Sequence, residues 1–364
     1  MVLHPRYKRY FRQAFYFGLI WLIFGLVYSL LEYGILGRVT LYPSTGNRYH
    51  FSSALLYTAT GSFLMGMLQG WIEVVWLRKR FAKSPLWTKI LCKGSFYLIL
   101  LIVFLASLTV ATNMKHFNTG PFHPEVLNSL LVFMKKFAFW SVTIYAAMIL
   151  GIALLFSEIS DYLGVGVLRN FFIGTYHRPK GEKRIFMFLD MKSSTTIAEH
   201  IGHEKYFKLL KACYADMTDP VLETSGEIYQ YVGDEIVVSW PINVGIYQNN
   251  CIRCFSKIED VFRKNKDFYL AQFNVFPEFK AGFHLGAVTT GEIGIIKKDI
   301  IHTGDVLNTT ARIQAQCNAY NAKALISGDL LEELQKKDPI EFERIGKLTL
   351  RGKKTPVQLY RVQF

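Results

Sequence analysis

GEIYQYVGDEIVVSW, Gly226–Trp240, holds two β-rich runs that meet at Gly233 and Asp234, a two-residue hairpin signal. Upstream, KRIFMFLD (Lys183–Asp190) reads as an apolar strand ending in a carboxylate, and Ser193–Gly226 carries helical periodicity. The order strand, helix, hairpin describes a mixed α and β domain. If the first strand pairs beside the hairpin, Asp190 at its carboxyl end and Asp234 at the turn converge on one edge of the sheet. Two carboxylates so placed suit a pair of divalent cations on a triphosphate, since Mg²⁺ takes few protein ligands and completes its shell from phosphate oxygens. The plainer alternative is that Asp190 caps the turn through SSTT and Asp234 merely suits its own turn.

A third segment, GDVLNTTARIQAQCN (Gly304–Asn318), begins a helix on which Asn308 and Arg312 stand four residues apart and share a face. An amide and a guanidinium projecting together can orient a ribose and neutralise charge developing on a phosphorus centre. Near the chain end, LRGKKTP supplies Lys353, a point charge able to meet a terminal phosphate.

The other half is of a different kind. The chain has 364 residues, 51% of them hydrophobic and 15% aromatic, more than one soluble domain explains. Its net charge of +14 divides unevenly: residues 1–180 hold 18 Lys/Arg against 5 Asp/Glu, and residues 181–364 hold 24 against 23. Excess positive charge confined to the apolar half orients membrane segments and argues against a nucleic-acid partner.

Four apolar stretches, approximately Ala14–Leu36, Ser53–Leu77, Leu91–Thr112 and Leu131–Phe156, approach the roughly 20 residues that a bilayer-spanning helix needs. The first exceeds a cleavable signal and lacks a small-residue cleavage pattern, so it is expected to stay as an anchor. Counting Lys and Arg gives 13 on the side of both termini and the middle loop, against 5 opposite, which predicts cytoplasmic termini. Glu73, with Gln69 one turn earlier, is the clearest intramembrane polar pair, and Arg78 is its nearest cationic neighbour in sequence. The expected organisation is a four-helix transmembrane domain over 1–156, a helical connector over 157–182 and a catalytic domain over 183–364. Among five cysteines, the lone pair Cys251 and Cys254 reads as one apolar helix face rather than a metal site.

FLDMKSST, YVGDEIVV, GAVTTGEIG, HTGDVLNTTAR and LRGKK stand in this order from about Lys183 to the carboxyl terminus. In them the chain resembles the class III adenylate and guanylate cyclases, as a membrane-anchored bacterial-type member. The resemblance implies an α+β catalytic domain of ferredoxin-like type, working as a head-to-tail homodimer with shared active sites. It implies two Mg²⁺ or Mn²⁺ ions held by Asp190, Asp234 and the backbone carbonyl of Met191. Asn308 and Arg312 of the other protomer would position the ribose and stabilise the transition state, with Lys353 on the β and γ phosphates. The substrate would be a nucleoside triphosphate, and the protein would lie in the bacterial inner (plasma) membrane with its catalytic domain cytoplasmic.

The departure from the family pattern concerns the base. Gln230 and Ile301 occupy the base-selecting positions, where adenylate cyclases commonly have Lys with Asp or Thr, and guanylate cyclases have Glu at the first. Gln can donate or accept, whereas Ile does neither, which weakens discrimination by polar matching. ATP is expected by family frequency, with GTP or mixed use as the alternative. A catalytically idle, receptor-like domain is the alternative of another class; it would be expected to have lost part of the set that is complete here.

Overall fold

The computed structural model describes residues 5–42, 48–81, 84–163, 174–296, 298–334, 340–351 and 355–364. The chain divides into two compact units, which meet in sequence at about residue 168.

The amino-terminal unit is helical. It comprises α1 (Pro5–Leu36), α2 (Phe51–Ile72), α3 (Leu86–Phe117), α4 (Pro124–Lys135) and α5 (Phe137–Leu163). Among the described residues, four helices are long and apolar enough to cross a membrane: Tyr10–Leu36, Phe51–Leu77, Trp87–Met114 and Phe137–Ser160. The shortest of these, at 24 residues, is about 36 Å long at 1.5 Å per residue, enough for a hydrocarbon core of about 30 Å. The fourth apolar run was expected to begin at Leu131, but the helix breaks at Lys136, whose backbone is extended, so Leu131–Lys135 belong to α4. A single extended residue leaves no trace in hydropathy.

Charged groups are buried in this unit. The ammonium of Lys93 donates to Glu73 Oε1 at 2.5 Å and to Glu158 Oε1 at 2.9 Å, while Lys89 reaches Glu158 Oε2 at 3.1 Å. Tyr97 donates to Glu73 Oε2 at 3.1 Å, and Trp21 Nε1 donates to Gln69 Oε1 at 2.6 Å. Two carboxylates and two ammoniums thus tie α3 to α5 and to the end of α2. Glu73 opens a π-helical turn, Glu73–Leu77, that follows α2. Arg78, the cation nearest to Glu73 in sequence, donates to Gln13 at 3.1 Å and to Ser157 at 3.3 Å.

Among its described residues the carboxyl-terminal unit is built on eight strands: β1 (Lys180–Met191), β2 (Glu227–Val232), β3 (Glu235–Pro241), β4 (Phe279–Ile293), β5 (Asp299–Thr303), β6 (Ala324–Ser327), β7 (Glu341–Leu348) and β8 (Val357–Gln363). Their order is β2-β3-β1-β4-β6-β8-β7, with β5 also paired to β4. The first four strands with α7 (His203–Glu223) and α8 (Asn250–Lys264) make a βαββαβ unit of ferredoxin-like order. A short helix α6 (Ser194–Ile201) precedes α7, and α9 (Lys266–Phe273) follows α8.

Strand β1 is central and buried on both faces, hence its unbroken apolar run. Ile185, Met187 and Leu189 enter the main core with Trp240, Phe255 and Phe283, where Cys251 and Cys254 are also fully buried. Phe186 and Phe188 enter a second cluster on the opposite face with Val288 and Val306. Val306 belongs to α10 (Asp305–Ala315), which lies against β4 and β1. Its seat is Gly282 of β4: a Cβ there would lie 2.7 Å from Gln314 Cα, so backbone meets backbone without an intervening side chain.

Candidate active site

Asp190 is the penultimate residue of β1, and the β1–β3 pairing runs as far as Leu189 opposite Ile236. The next step along that ladder is the hairpin tip. Val232 pairs with Glu235 across a two-residue turn, in which Gly233 takes φ of 62°, a conformation that a side chain disfavours. Asp234 is thereby brought beside Asp190 at the end of the strand.

The electrostatics of this corner are unbalanced. Burial, then the charge and hydrogen bonding of Asp234, hold the Asp190 carboxyl above its usual range; a hydrogen bond from Gln314 and the Lys280 charge act in the opposite sense. Glu235 is pushed up to about 7 by burial and by the same two aspartates. The Tyr206 hydroxyl rises to about 12, through burial and then Asp234. Crowded carboxylates of this kind fit a divalent cation, which removes the mutual repulsion and takes their oxygens as hard ligands. Met191 ends β1 immediately after Asp190, which puts its carbonyl next to the pair in sequence.

Gln314 was missed by sequence reasoning. Its Nε2 donates to Asp190 Oδ2 at 3.1 Å, from a side chain that is nearly buried. Asn308 and Arg312 stand on the same helix, α10, but Asn308 is exposed and Arg312 half-buried, and neither pairs with a carboxylate among the described residues. At 3.6 residues per turn, Arg312 points about 160° away from Gln314 around the helix axis, and Asn308 about 120°. A helix that presents Gln314 to Asp190 therefore presents Arg312 elsewhere. One chain brings Asp190 and Asp234 together and does not bring Asn308 and Arg312 to them.

Gln230 is exposed on the edge strand β2, and Ile301 is half-buried on β5 opposite Gly291. Their chain neighbours touch: the backbone N–H of His302 donates to Tyr229 Oη at 3.2 Å, and the two rings are 4.7 Å apart. His302 is tied through its Nδ1 to Thr290 Oγ1 at 2.7 Å, and Thr290 donates to Glu182 at 2.6 Å. Arg184, fully buried, bonds Glu182, Glu227 and Ser239. Burial, then the Arg184 guanidinium, push the His302 pKa down to about 4, so the imidazole is neutral at pH 7. Lys353 lies outside the described residues.

Residues 178–363 match the family model described as the adenylate and guanylate cyclase catalytic domain. The chain is 32% identical over 213 residues to Adenylate cyclase 2 of Rhizobium meliloti (strain 1021), which covers 58% of this chain and 59% of that protein. It is 27% identical over 183 residues to Adenylate cyclase 1 of the same organism, covering 48% of this chain and 27% of that one. It thus spans less than two thirds of the length of either relative. Among solved structures, a bacterial light-regulated adenylyl cyclase aligns with a TM-score of 0.53 at 17% identity, over 63% of this chain and 66% of that one, a likeness of fold.

Proposed function

The chain belongs to the adenylate and guanylate cyclase catalytic-domain family, and we propose that it converts ATP to 3′,5′-cyclic AMP and pyrophosphate. The observation that carries this reading is the division of labour around α10. Uncompensated carboxylates gather at the end of β1, while the amide and guanidinium needed at the ribose and phosphate face away from them. Both sets act on one substrate only if a second copy of the chain supplies the other set. The working enzyme is accordingly a homodimer with two shared sites.

Asp190, Asp234 and the Met191 carbonyl would hold two Mg²⁺ or Mn²⁺ ions in one protomer. When bound, such ions supply activation of the ribose 3′-hydroxyl and charge neutralisation at the leaving oxygens. Asn308 of the partner copy orients the ribose so that its 3′-oxygen stands in line with the α-phosphorus. Arg312 of that copy neutralises the equatorial oxygens as the bond to the 3′-oxygen forms and the bond to the β-phosphate oxygen breaks. Lys353 would hold the departing pyrophosphate. The hydroxyl proton leaves to solvent.

ATP is preferred over GTP because both named relatives are adenylate cyclases. Gln230 offers the base a donor and an acceptor, and Ile301 offers only an apolar wall, so discrimination is modest. The four long apolar helices would anchor the catalytic domain to the bacterial inner membrane, with both termini on the positively charged, cytoplasmic side.

The test is product formation by the purified full-length protein with Mn²⁺ or Mg²⁺, comparing ATP, GTP, CTP and UTP. Cyclic AMP as the main product is expected; no cyclic product from any of the four in a dimeric sample would overturn the proposal. Mixing Asp190→Ala with Asn308→Ala protein is expected to restore activity, since each heterodimer regains one intact centre. Verified heterodimers without rescue would reject shared sites.

A further inference from the structure

Helix α10 carries chemistry on two sides. On one, Gln314 donates to Asp190 Oδ2 at 3.1 Å, leaving the carboxylate's remaining lone pairs for a cation. On the other, Asn308 and Arg312 are directed away from that carboxylate. The helix has little freedom to move between these duties. Its carboxyl-terminal turn rests on Gly282 with Gln314 backbone in direct approach, and Thr309, Thr310 and Ile313 are fully buried beneath it.

We propose that Gln314 is a positioning residue for the metal-binding carboxylate of its own protomer, so that one rigid helix serves its own metal site through Gln314 and the partner's substrate through Arg312. The physical reason is directional. Asp190 sits at the end of β1, and the Gln314 amide reaching its Oδ2 at 3.1 Å comes from a helix seated on the neighbouring strand β4. A neutral amide donor fixes one oxygen without adding a competing charge. Glu at this position would repel the pair, and an aliphatic side chain would release it. Outer partners of metal ligands typically contribute 10–100-fold to metal affinity.

The cis half of this proposal needs no dimer model; the trans half rests on the shared-site reading above. The full-length protein in detergent is titrated with Mn²⁺ in the presence of a non-reactive ATP analogue, and free Mn²⁺ is followed by electron paramagnetic resonance. Gln314→Leu and Gln314→Met, which keep the volume and lose the donor, are expected to raise the Mn²⁺ Kd about tenfold or more. Their thermal midpoints without metal should remain near that of the parent. Using two variants guards against one that fails to fold. A Kd within twofold of the parent in either folded variant overturns the positioning role.

The second arm uses the heterodimer of Asn308→Ala with Asp190→Ala, whose one intact centre takes carboxylates from the first protomer and Asn308 with Arg312 from the second. Adding Gln314→Leu to the first protomer should raise the metal concentration that half-activates the enzyme about tenfold; adding it to the second should leave that concentration unchanged. Equal effects from both placements would overturn the cis assignment. Failure of the parent heterodimer to regain activity would overturn the shared-site reading, while the Mn²⁺ titration still decides the role of Gln314.

Discussion

Both units draw acidic side chains out of water, the helical unit burying them and the sheet unit half-burying them, and they treat them oppositely. In the helical unit, Glu73 and Glu158 meet Lys93 and Lys89, and two negative charges are matched by two positive ones within 3.1 Å. In the sheet unit, Asp190 and Asp234 are pressed together with Glu235 nearby, against one amide and the Lys280 charge, whose ammonium donates to Asn318. A balanced cluster is already satisfied and holds helices together. An unbalanced one raises its own carboxyl pKa values and stays unsatisfied until a cation arrives. The same residue type marks structure in the first case and, under the proposed function, chemistry in the second.

Neutralising the unbalanced cluster separates these roles most sharply. Asp190→Asn is expected to abolish product formation while the thermal midpoint without metal stays or rises, because a like-charge contact is relieved. A large fall in the midpoint together with activity would place Asp190 among structural residues. In the balanced cluster the opposite holds. Lys93→Met leaves Glu158 with Lys89 alone and takes from Glu73 its ammonium partner, and should cost about 3–5 kcal/mol of stability, read by unfolding in detergent. Adding Glu73→Gln to that variant should recover part of the loss; no recovery would mean that the ammonium acts through packing rather than charge.

The smallest expected effect concerns a third buried group. His302 titrates near 4 when folded against 6.5 when unfolded, so acid favours the unfolded chain. Its contribution to stability is complete above about pH 6.5 and is lost as pH falls from there toward 4. The parent should therefore lose more thermal midpoint than His302→Gln across that window, and parallel curves would remove His302 from the account.

What the sequence could show depended on how far apart the partners lie. The places of Asp190 at a strand end, Asp234 at a turn and Asn308 with Arg312 on one helix were legible because each sits in a short motif with a fixed local period. The hairpin at Gly233–Asp234 was legible for the same reason, and Val232 does pair with Glu235. Gln314 was not, since it stands 124 residues from Asp190 and its contact exists only once α10 crosses the end of β1. Read along the chain it is one more polar residue in an amphipathic helix. The partner of Glu73 was hidden on similar grounds. Arg78 is five residues away in sequence, but Lys93 comes from a separate helix and reaches Glu73 where α2 gives way to a π-helical turn. The Tyr229–His302 contact, 73 residues apart, likewise needs the finished sheet.

Glu158 lies five residues before the end of α5 at Leu163, about one and a half turns. Its two carboxylate oxygens are taken by different lysines of α3, Lys93 and Lys89. In mechanical terms this is a clamp with two jaws at the exit of the bundle. A twist applied to the last turn of α5 would have to break two ion pairs at once before it could travel back along the helix axis. Glu158 thus holds the angular phase of this stretch of α5, together with Ser157, which Arg78 reaches at 3.3 Å.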